Sequence, residues 1–334
     1  MTARARPARP LLAAMVAVLA TSLTACASSS GGVAARIHQY LETPSSTTTT
    51  APTPPTTVLP CDPTQSEPPS GALPSPGVMP AGTYMQVIQQ RGHLIVGVDQ
   101  NTEFFGYRDP QTGVIDGFDI ALAREVARAI FGNPNAIELR AVTTDQRLPA
   151  VESGQVDMVA SQVTATCARR QQVDLSTIYY LDHQKLLVRA GSPITGVAGL
   201  AGDKVCATSG STSIVNIAHL APGAVLYPVA ARTDCLVALE EGWVDAVTSD
   251  DTILLGLEVQ DPYNTTILPA ELSNEPYALA TSKQFPEFGR FVNGVLEQLR
   301  TNGRLEQLYR QWLDHPDLGF APPASPPAAR YLPQ

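Results

Sequence analysis

Three short phrases in this chain set hydroxyl and carboxylate side chains directly after runs of apolar residues. They are Ser161-Gln162-Val163-Thr164-Ala165-Thr166, Thr208-Ser209-Gly210-Ser211-Thr212 and Thr248-Ser249-Asp250-Asp251. Each reads as a polar turn between a strand and a helix. Exposed N–H groups at a helix start bind carboxylates, and hydroxyls beside them add adaptable hydrogen bonds. Ser, Thr and Asp also cap helices routinely, so any one phrase alone reads first as a cap. Three of them at matching strand ends point instead to a ligand site. Other chemistries are poorly served. There is no C-x-x-C pair and the five histidines are scattered without ligand spacing, so no metal is expected. With no nucleophile motif or phosphate loop either, neither a cofactor nor catalysis is expected.

The elements that must position these phrases follow from hydrophobic periodicity. His93–Asp99 is a short apolar run of the kind found in a buried parallel strand. Gly117–Phe131 carries Phe118, Leu122, Val126 and Ile130 four apart, which predicts an amphipathic helix. Ala136–Val142 reads as strand, Arg147–Glu152 as helix and Val156–Ala160 as strand. Lys204–Ala207 precedes a helix at Ser213–His219, and Ala224–Pro228 precedes one at Thr233–Glu241. Val244–Val247 is strand-like, and a helix from Glu287 to Leu313 closes the body. Such alternation predicts an α/β fold built on an open sheet, with ligands at the carboxyl ends of strands.

Composition limits the alternatives. Of 334 residues, 31 are Asp or Glu and 22 are Lys or Arg, a net charge of −9. That balance argues against nucleic acid, which demands a basic face. Two domains are expected from the length, preceded by an export address. Arg4, Arg6 and Arg9 lead into the apolar stretch Leu11–Leu23, too short to span a membrane as a helix. Ser28 to Pro80 then holds eleven of the 29 prolines and predicts a disordered or polyproline-like tether, with a short helix conceivable at Ala34–Leu41. After Cys26, four cysteines remain, an even number suited to an oxidising compartment; three pairings are open from sequence alone.

Two resemblances sharpen these expectations. Leu23-Thr24-Ala25-Cys26 resembles the lipobox of bacterial lipoproteins, which implies cleavage before Cys26 and a lipid anchor on the outer face of the cytoplasmic membrane. The body resembles the type 3 solute-binding proteins of ABC transporters, the polar amino-acid group. Its markers run from Gly92-His93-Leu94-Ile95-Val96-Gly97-Val98-Asp99 through Gly117-Phe118-Asp119-Ile120-Ala121-Leu122-Ala123 to Gly154-Gln155-Val156-Asp157-Met158-Val159-Ala160. Thr164-Ala165-Thr166-Cys167-Ala168-Arg169-Arg170, Val173-Asp174-Leu175-Ser176 with Tyr179-Tyr180, and Gly242-Trp243-Val244-Asp245-Ala246-Val247 continue the series. Within that group the chain looks most like actinobacterial glutamate-binding lipoproteins of the GlnH type.

The resemblance implies a two-lobe periplasmic-binding-protein-like fold (type II) with two hinge strands, Tyr179–His183 and Tyr277–Thr281, and the ligand in the interlobe cleft. The signal peptide would be 1–25 and the disordered linker 26–82. The first lobe would be 83–178 plus 283–315, the second 184–276, and a Pro-rich tail 316–334. Cys206 and Cys235 then share a lobe, which favours Cys206–Cys235 and leaves Cys61–Cys167.

The family pattern carries over residue by residue. Arg169 would grip the ligand's α-carboxylate with its planar fork, while Arg170 would be a surface arginine. Thr164 and the Gln162 backbone would add contacts, and Asp250 would neutralise the α-amino group, with Asp251 as the competing candidate. Thr208, Ser211 and Thr212 would contribute from the second lobe. Arg147 would meet a distal carboxylate. Asp99 points instead to an amide, unless Arg147 or a proton offsets its charge. Thr102 stands where a stacking aromatic is common, with Phe104 or Phe105 as substitutes.

The implied partners are L-glutamate, L-aspartate or their amides, together with an ABC permease. The alternative is a membrane signalling protein to which a sensor would dock, and a monomer is expected. A third class, a dehydratase like some relatives on this fold, would need Asp99 or Glu103 as general acid.

Overall fold

The chain is described by a computed structural model that covers residues 61–333 apart from 319, 321 and 324. The signal peptide, Cys26 and the candidate helix at Ala34–Leu41 lie outside the described residues. In order, the first elements are α1 (Tyr84–Arg91), β1 (Leu94–Val98), β2 (Asn101–Thr102), β3 (Gly106–Arg108), β4 (Ile115–Asp116) and α2 (Phe118–Phe131). Then come β5 (Ile137–Ala141), α3 (Arg147–Glu152), β6 (Met158–Thr164), α4 (Cys167–Gln172), β7 (Asp174–Leu175) and β8 (Tyr180–Arg189). The chain continues through β9 (Lys204–Thr208), α5 (Thr212–Leu220), β10 (Val225–Val229), α6 (Arg232–Glu240), β11 (Ala246–Asp250) and α7 (Asp251–Glu258). It ends with β12 (Thr265–Ile267), β13 (Ser273–Thr281), α8 (Pro286–Thr301) and α9 (Arg304–Trp312).

The fold is α/β with two lobes. The main sheet runs in the order β10-β9-β11-β8-β13-β6-β1-β5. β1 is buried along its whole length because parallel strands flank it on both sides, β5 and β6, and helices cover its faces. β9, β10 and β11 form the corresponding parallel set in the second lobe. The long strands β8 and β13 run antiparallel to each other and join the two sets, with Tyr277 opposite Tyr180. Each lobe has its own core. Phe118, Leu122, Val126 and Ile130 of α2 meet Phe288, Leu296 and Leu305 in the first lobe, while Leu187, Cys206, Leu236 and Leu254 meet in the second. Full burial of one such side chain contributes about 1.5–3 kcal/mol.

Several expectations are corrected. The phrases at Ser161 and Thr248 are not turns: β6 extends through Thr164 and β11 through Asp250, so their polar side chains project from strand ends. The closing helix is two helices, broken at Gly303, whose φ of 75° lies in the left-handed region. The tether ends earlier than residue 82. Ser66 is buried and pairs with Tyr331, Asn293 Nδ2 donates to Ser66 Oγ at 2.8 Å, and Met79 enters the first core. The C-terminal segment is therefore packed too, with Leu332 N donating to Ser66 O at 2.8 Å. Arg170 is no free surface arginine, since it donates to Pro63 O at 2.8 Å and Leu175 O at 3.0 Å and helps hold this segment. The structure contains the disulfides Cys61–Cys167 and Cys206–Cys235.

Candidate functional site: the interlobe cleft

The strand ends of both lobes meet where β8 and β13 cross. Arg169, in the first turns of α4, is positioned by Thr166, whose hydroxyl accepts from the Arg169 N–H at 3.1 Å. The guanidinium is buried and bridges the lobes, donating to Thr164 O at 2.8 Å and to Gly210 O of the second lobe at 3.0 Å. Burial lowers its pKa, and the carboxylates of Glu275 and Asp250 work against that. Thr164 Oγ1 lies 3.3 Å from Thr212 Oγ1, a second contact across the cleft. Thr212 in turn donates to Glu275 Oε2 at 2.7 Å.

Asp250 occupies the N-cap position of α7, yet its carboxylate caps nothing. It accepts from Tyr277 Oη at 2.6 Å and, more weakly, from Ser213 Oγ at 3.4 Å. Burial first, then the carboxylates of Glu275 and Asp182, push its pKa up to about 7. A cation entering the cleft would favour its ionised form. Asp251, the competing candidate, instead pairs with Lys185 Nζ at 2.6 Å.

Arg147, the first residue of α3, is buried and directs one nitrogen to Ser161 O at 2.6 Å and Gln162 O at 3.0 Å. Gln162 has φ 42°, and its backbone N–H donates to buried Asp119 at 3.0 Å. Its side-chain amide also donates to Asp119, which orients Oε1 as an acceptor. Burial lowers the Arg147 pKa to about 9, aided by the positive charges of Arg169 and Arg232.

Arg232 was not singled out in the sequence. It opens α6 in the second lobe, is 5% exposed, and donates across the cleft to Asp99 and to Thr102 of the first lobe. The other Asp99 oxygen accepts from Asn101 N at 2.6 Å. The charge on Asp99 is thus met by Arg232, where Arg147 or a proton was expected. Glu275 was also missed. No motif marks it, because it sits inside β13 and acts through Thr212, Asn216 and Ser273.

Four further candidates have other partners in the structure. Ser211 Oγ caps α5, accepting from Ile214 N at 3.1 Å and donating to Thr208 O at 2.7 Å, so the capping role holds there. Thr208 is buried at the end of β9 and contributes that carbonyl. Phe104 packs on His315 and Phe105 lies in the core against Phe118, Tyr180 and Tyr277, which commits both rings elsewhere.

Four buried polar atoms around the cleft have no hydrogen-bond partner among the described residues: Arg147 Nε, Arg232 Nε, Ser161 Oγ and Gln162 Oε1. Buried polar atoms are nearly always satisfied, so these mark where a small polar molecule would complete the bonding. Two N–H donors, an amide acceptor and a hydroxyl, flanked by Arg169 and Asp250, suit a molecule carrying both charges.

Residues 94–315 match the family described as bacterial extracellular solute-binding proteins, family 3. The ABC transporter glutamine-binding protein GlnH of Bacillus subtilis (strain 168) is 32% identical over 230 residues, covering 69% of this chain and 84% of the relative. The glutamate-binding protein GluB of Corynebacterium glutamicum is 29% identical over 230 residues, covering 66% and 78%. Among solved structures, an ancestral arginine-binding protein bound to glutamine is similar with a TM-score of 0.63 and 30% identity, covering 67% of this chain and 99% of that one.

Proposed function

The chain belongs to the bacterial extracellular solute-binding proteins, family 3, and on that premise we propose that it captures an acidic amino acid, glutamate or aspartate, and hands it to an ABC permease. The observation that carries this reading is that Arg169 of one lobe and Asp250 of the other are both buried, with the Arg169 guanidinium reaching Gly210 O of the second lobe and the Asp250 carboxylate bearing on its charge. A guanidinium fork suits the α-carboxylate and a carboxylate suits the α-ammonium. Thr164, Thr212 and the Gln162 backbone line the same space, with Thr208 and Ser211 setting the second-lobe wall. Arg147 faces the far end and favours a second carboxylate. In this reading Cys26 carries lipid, the protein works from the outer face of the membrane, and it acts as a monomer without catalysing a reaction.

An amide ligand is the second reading, favoured by a relative named for glutamine and by the carboxylate of Asp99. A thermal-shift screen of the full chain against the twenty amino acids tests both, because a ligand raises the melting temperature by mass action. Glutamate or aspartate should give the largest shift, with glutamine or asparagine next. A screen in which only basic or apolar amino acids stabilise the protein sinks the proposal. Calorimetry on Arg147→Ala then separates the two readings: glutamate should weaken far more than glutamine, and equal losses would remove the case for acidic selectivity.

A further inference from the structure

We infer that Arg232 is a specificity-determining residue: it crosses the closed cleft to neutralise Asp99 and so turns the far end of the site from one that reads a donor into one that reads a carboxylate. The inference deepens the amino-acid reading above and rests on it.

The chemistry follows from what each group can still do. Without Arg232, Asp99 would present one open acceptor oxygen and a negative charge to the ligand's distal group, favouring an amide NH₂ or a cation. In this structure one oxygen is engaged by Asn101 N–H and the other by Arg232, which also takes Thr102 Oγ1. Arg232 Nε remains buried with no partner among the described residues, as does Arg147 Nε. Both are donors only, since a guanidinium has no acceptor. Arg147 and Arg232 bring two positive charges against the one negative charge of Asp99. Asp119, another carboxyl that feels Arg232, is already bonded to Gln162 and Tyr179, so the unpartnered donors at this end suit a carboxylate. Burial first, then the charges of Arg169 and Arg232, hold the Arg147 pKa down, so Arg232 lies near enough to act on Arg147.

The same pair couples selection to closure. Arg232 belongs to α6 of the second lobe and Asp99 directly follows β1 of the first, 133 residues away. The neutralised arrangement therefore exists only when the lobes are together. A cavity of about 100 Å³ lined by Asp99, Thr144, Gln146 and Arg232 adjoins the pair.

Isothermal calorimetry of the full chain with glutamate and glutamine tests this, on the parent and on Arg232→Met, Arg232→Lys and the double variant Arg232→Met/Asp99→Asn. In Arg232→Met the glutamate affinity should fall about thirtyfold or more, because a buried carboxylate is left unpaired. Glutamine should change much less, so the glutamate-to-glutamine ratio collapses or inverts. Arg232→Lys should keep the preference, and Asp99→Asn in the double variant should recover part of the glutamate affinity. A melting curve on each ligand-free variant shows whether it is folded, and should Arg232→Met fail to fold, Arg232→Gln takes its place. A ratio unchanged from the parent in a folded Arg232→Met or Arg232→Gln overturns the assignment while leaving the amino-acid reading intact. If the parent itself binds neither ligand, that reading fails and takes this one with it.

Discussion

Tyr277 places its hydroxyl oxygen 2.6 Å from Asp250 Oδ2 and 3.1 Å from Asp182 Oδ2, so one phenol stands between two buried carboxyl groups. It can donate to only one of them at a time. Burial pushes Asp182 up to about 6 and Asp250 up to about 7, each raised further by neighbouring carboxylates. A protonated Asp182 would complete a chain in which it donates to Tyr277 and Tyr277 donates to Asp250.

Opposite pH dependences of stability and binding follow. A carboxyl group whose folded pKa is raised contributes stability that is present below its ordinary value near 4 and is lost as pH rises through the folded value. From Asp182 and Asp250, the ligand-free protein should thus melt at a lower temperature at pH 8 than at pH 5. Binding of an ammonium needs Asp250 ionised, so affinity should weaken as pH falls below about 7, by at most about tenfold per unit for one proton. Melting curves and calorimetry between pH 5 and 8 check both slopes, and parallel slopes would reject the role given to Asp250.

Arg169→Ala should leave the fold intact and abolish binding. Loss of a desolvated charge-assisted pair costs about 3–5 kcal/mol, more than a hundredfold in affinity. Circular dichroism and calorimetry on the variant are sufficient; an unchanged dissociation constant would show that the α-carboxylate is held elsewhere.

Gly210→Ala should act on closure. Gly210 has φ 75°, and a Cβ there would lie 2.8 Å from Asp145 Cα of the opposite lobe. The strained backbone costs about 1–3 kcal/mol, but the clash exists only when the lobes meet. Affinity should fall at least tenfold, and small-angle scattering should show a smaller ligand-induced contraction than in the parent.

Removing Cys206–Cys235 by paired alanine substitution should cost about 3–4 kcal/mol of stability in the chain-entropy model, for a separation of 29 residues. Because that bond ties β9 to α6 within one lobe, affinity at 25 °C should change far less than the denaturation midpoint. A midpoint that does not move would mean that the cross-link constrains little in the unfolded chain.

How much of this was legible in the sequence depends on whether the signal was local. Continuous apolar runs such as Leu94–Val98 and the four-residue spacing in Phe118–Phe131 announce β1 and α2, because burial imposes their pattern directly. Asp250 sits in a recognisable phrase at a strand end, whereas Arg169, within a short helix, is marked only by the family pattern. Arg232 carries neither signal, since its partner is 133 residues away and a helix-start arginine is usually solvated. Ser211 reads the same whether it caps or binds, and only the position of Ile214 N decides. Residues 61–82 look structureless by composition, yet a disulfide and the buried Ser66–Asn293 contact hold them.

That last feature bears on which part of the molecule swings. Cys167 begins the helix that carries Arg169, and Cys61 fastens the incoming chain to it. In the lipid-anchored reading proposed above, a load arriving at Cys61 would enter the Arg169 side and make that half the stator. The Asp250 side would then be the rotor, swinging without dragging the mooring with it.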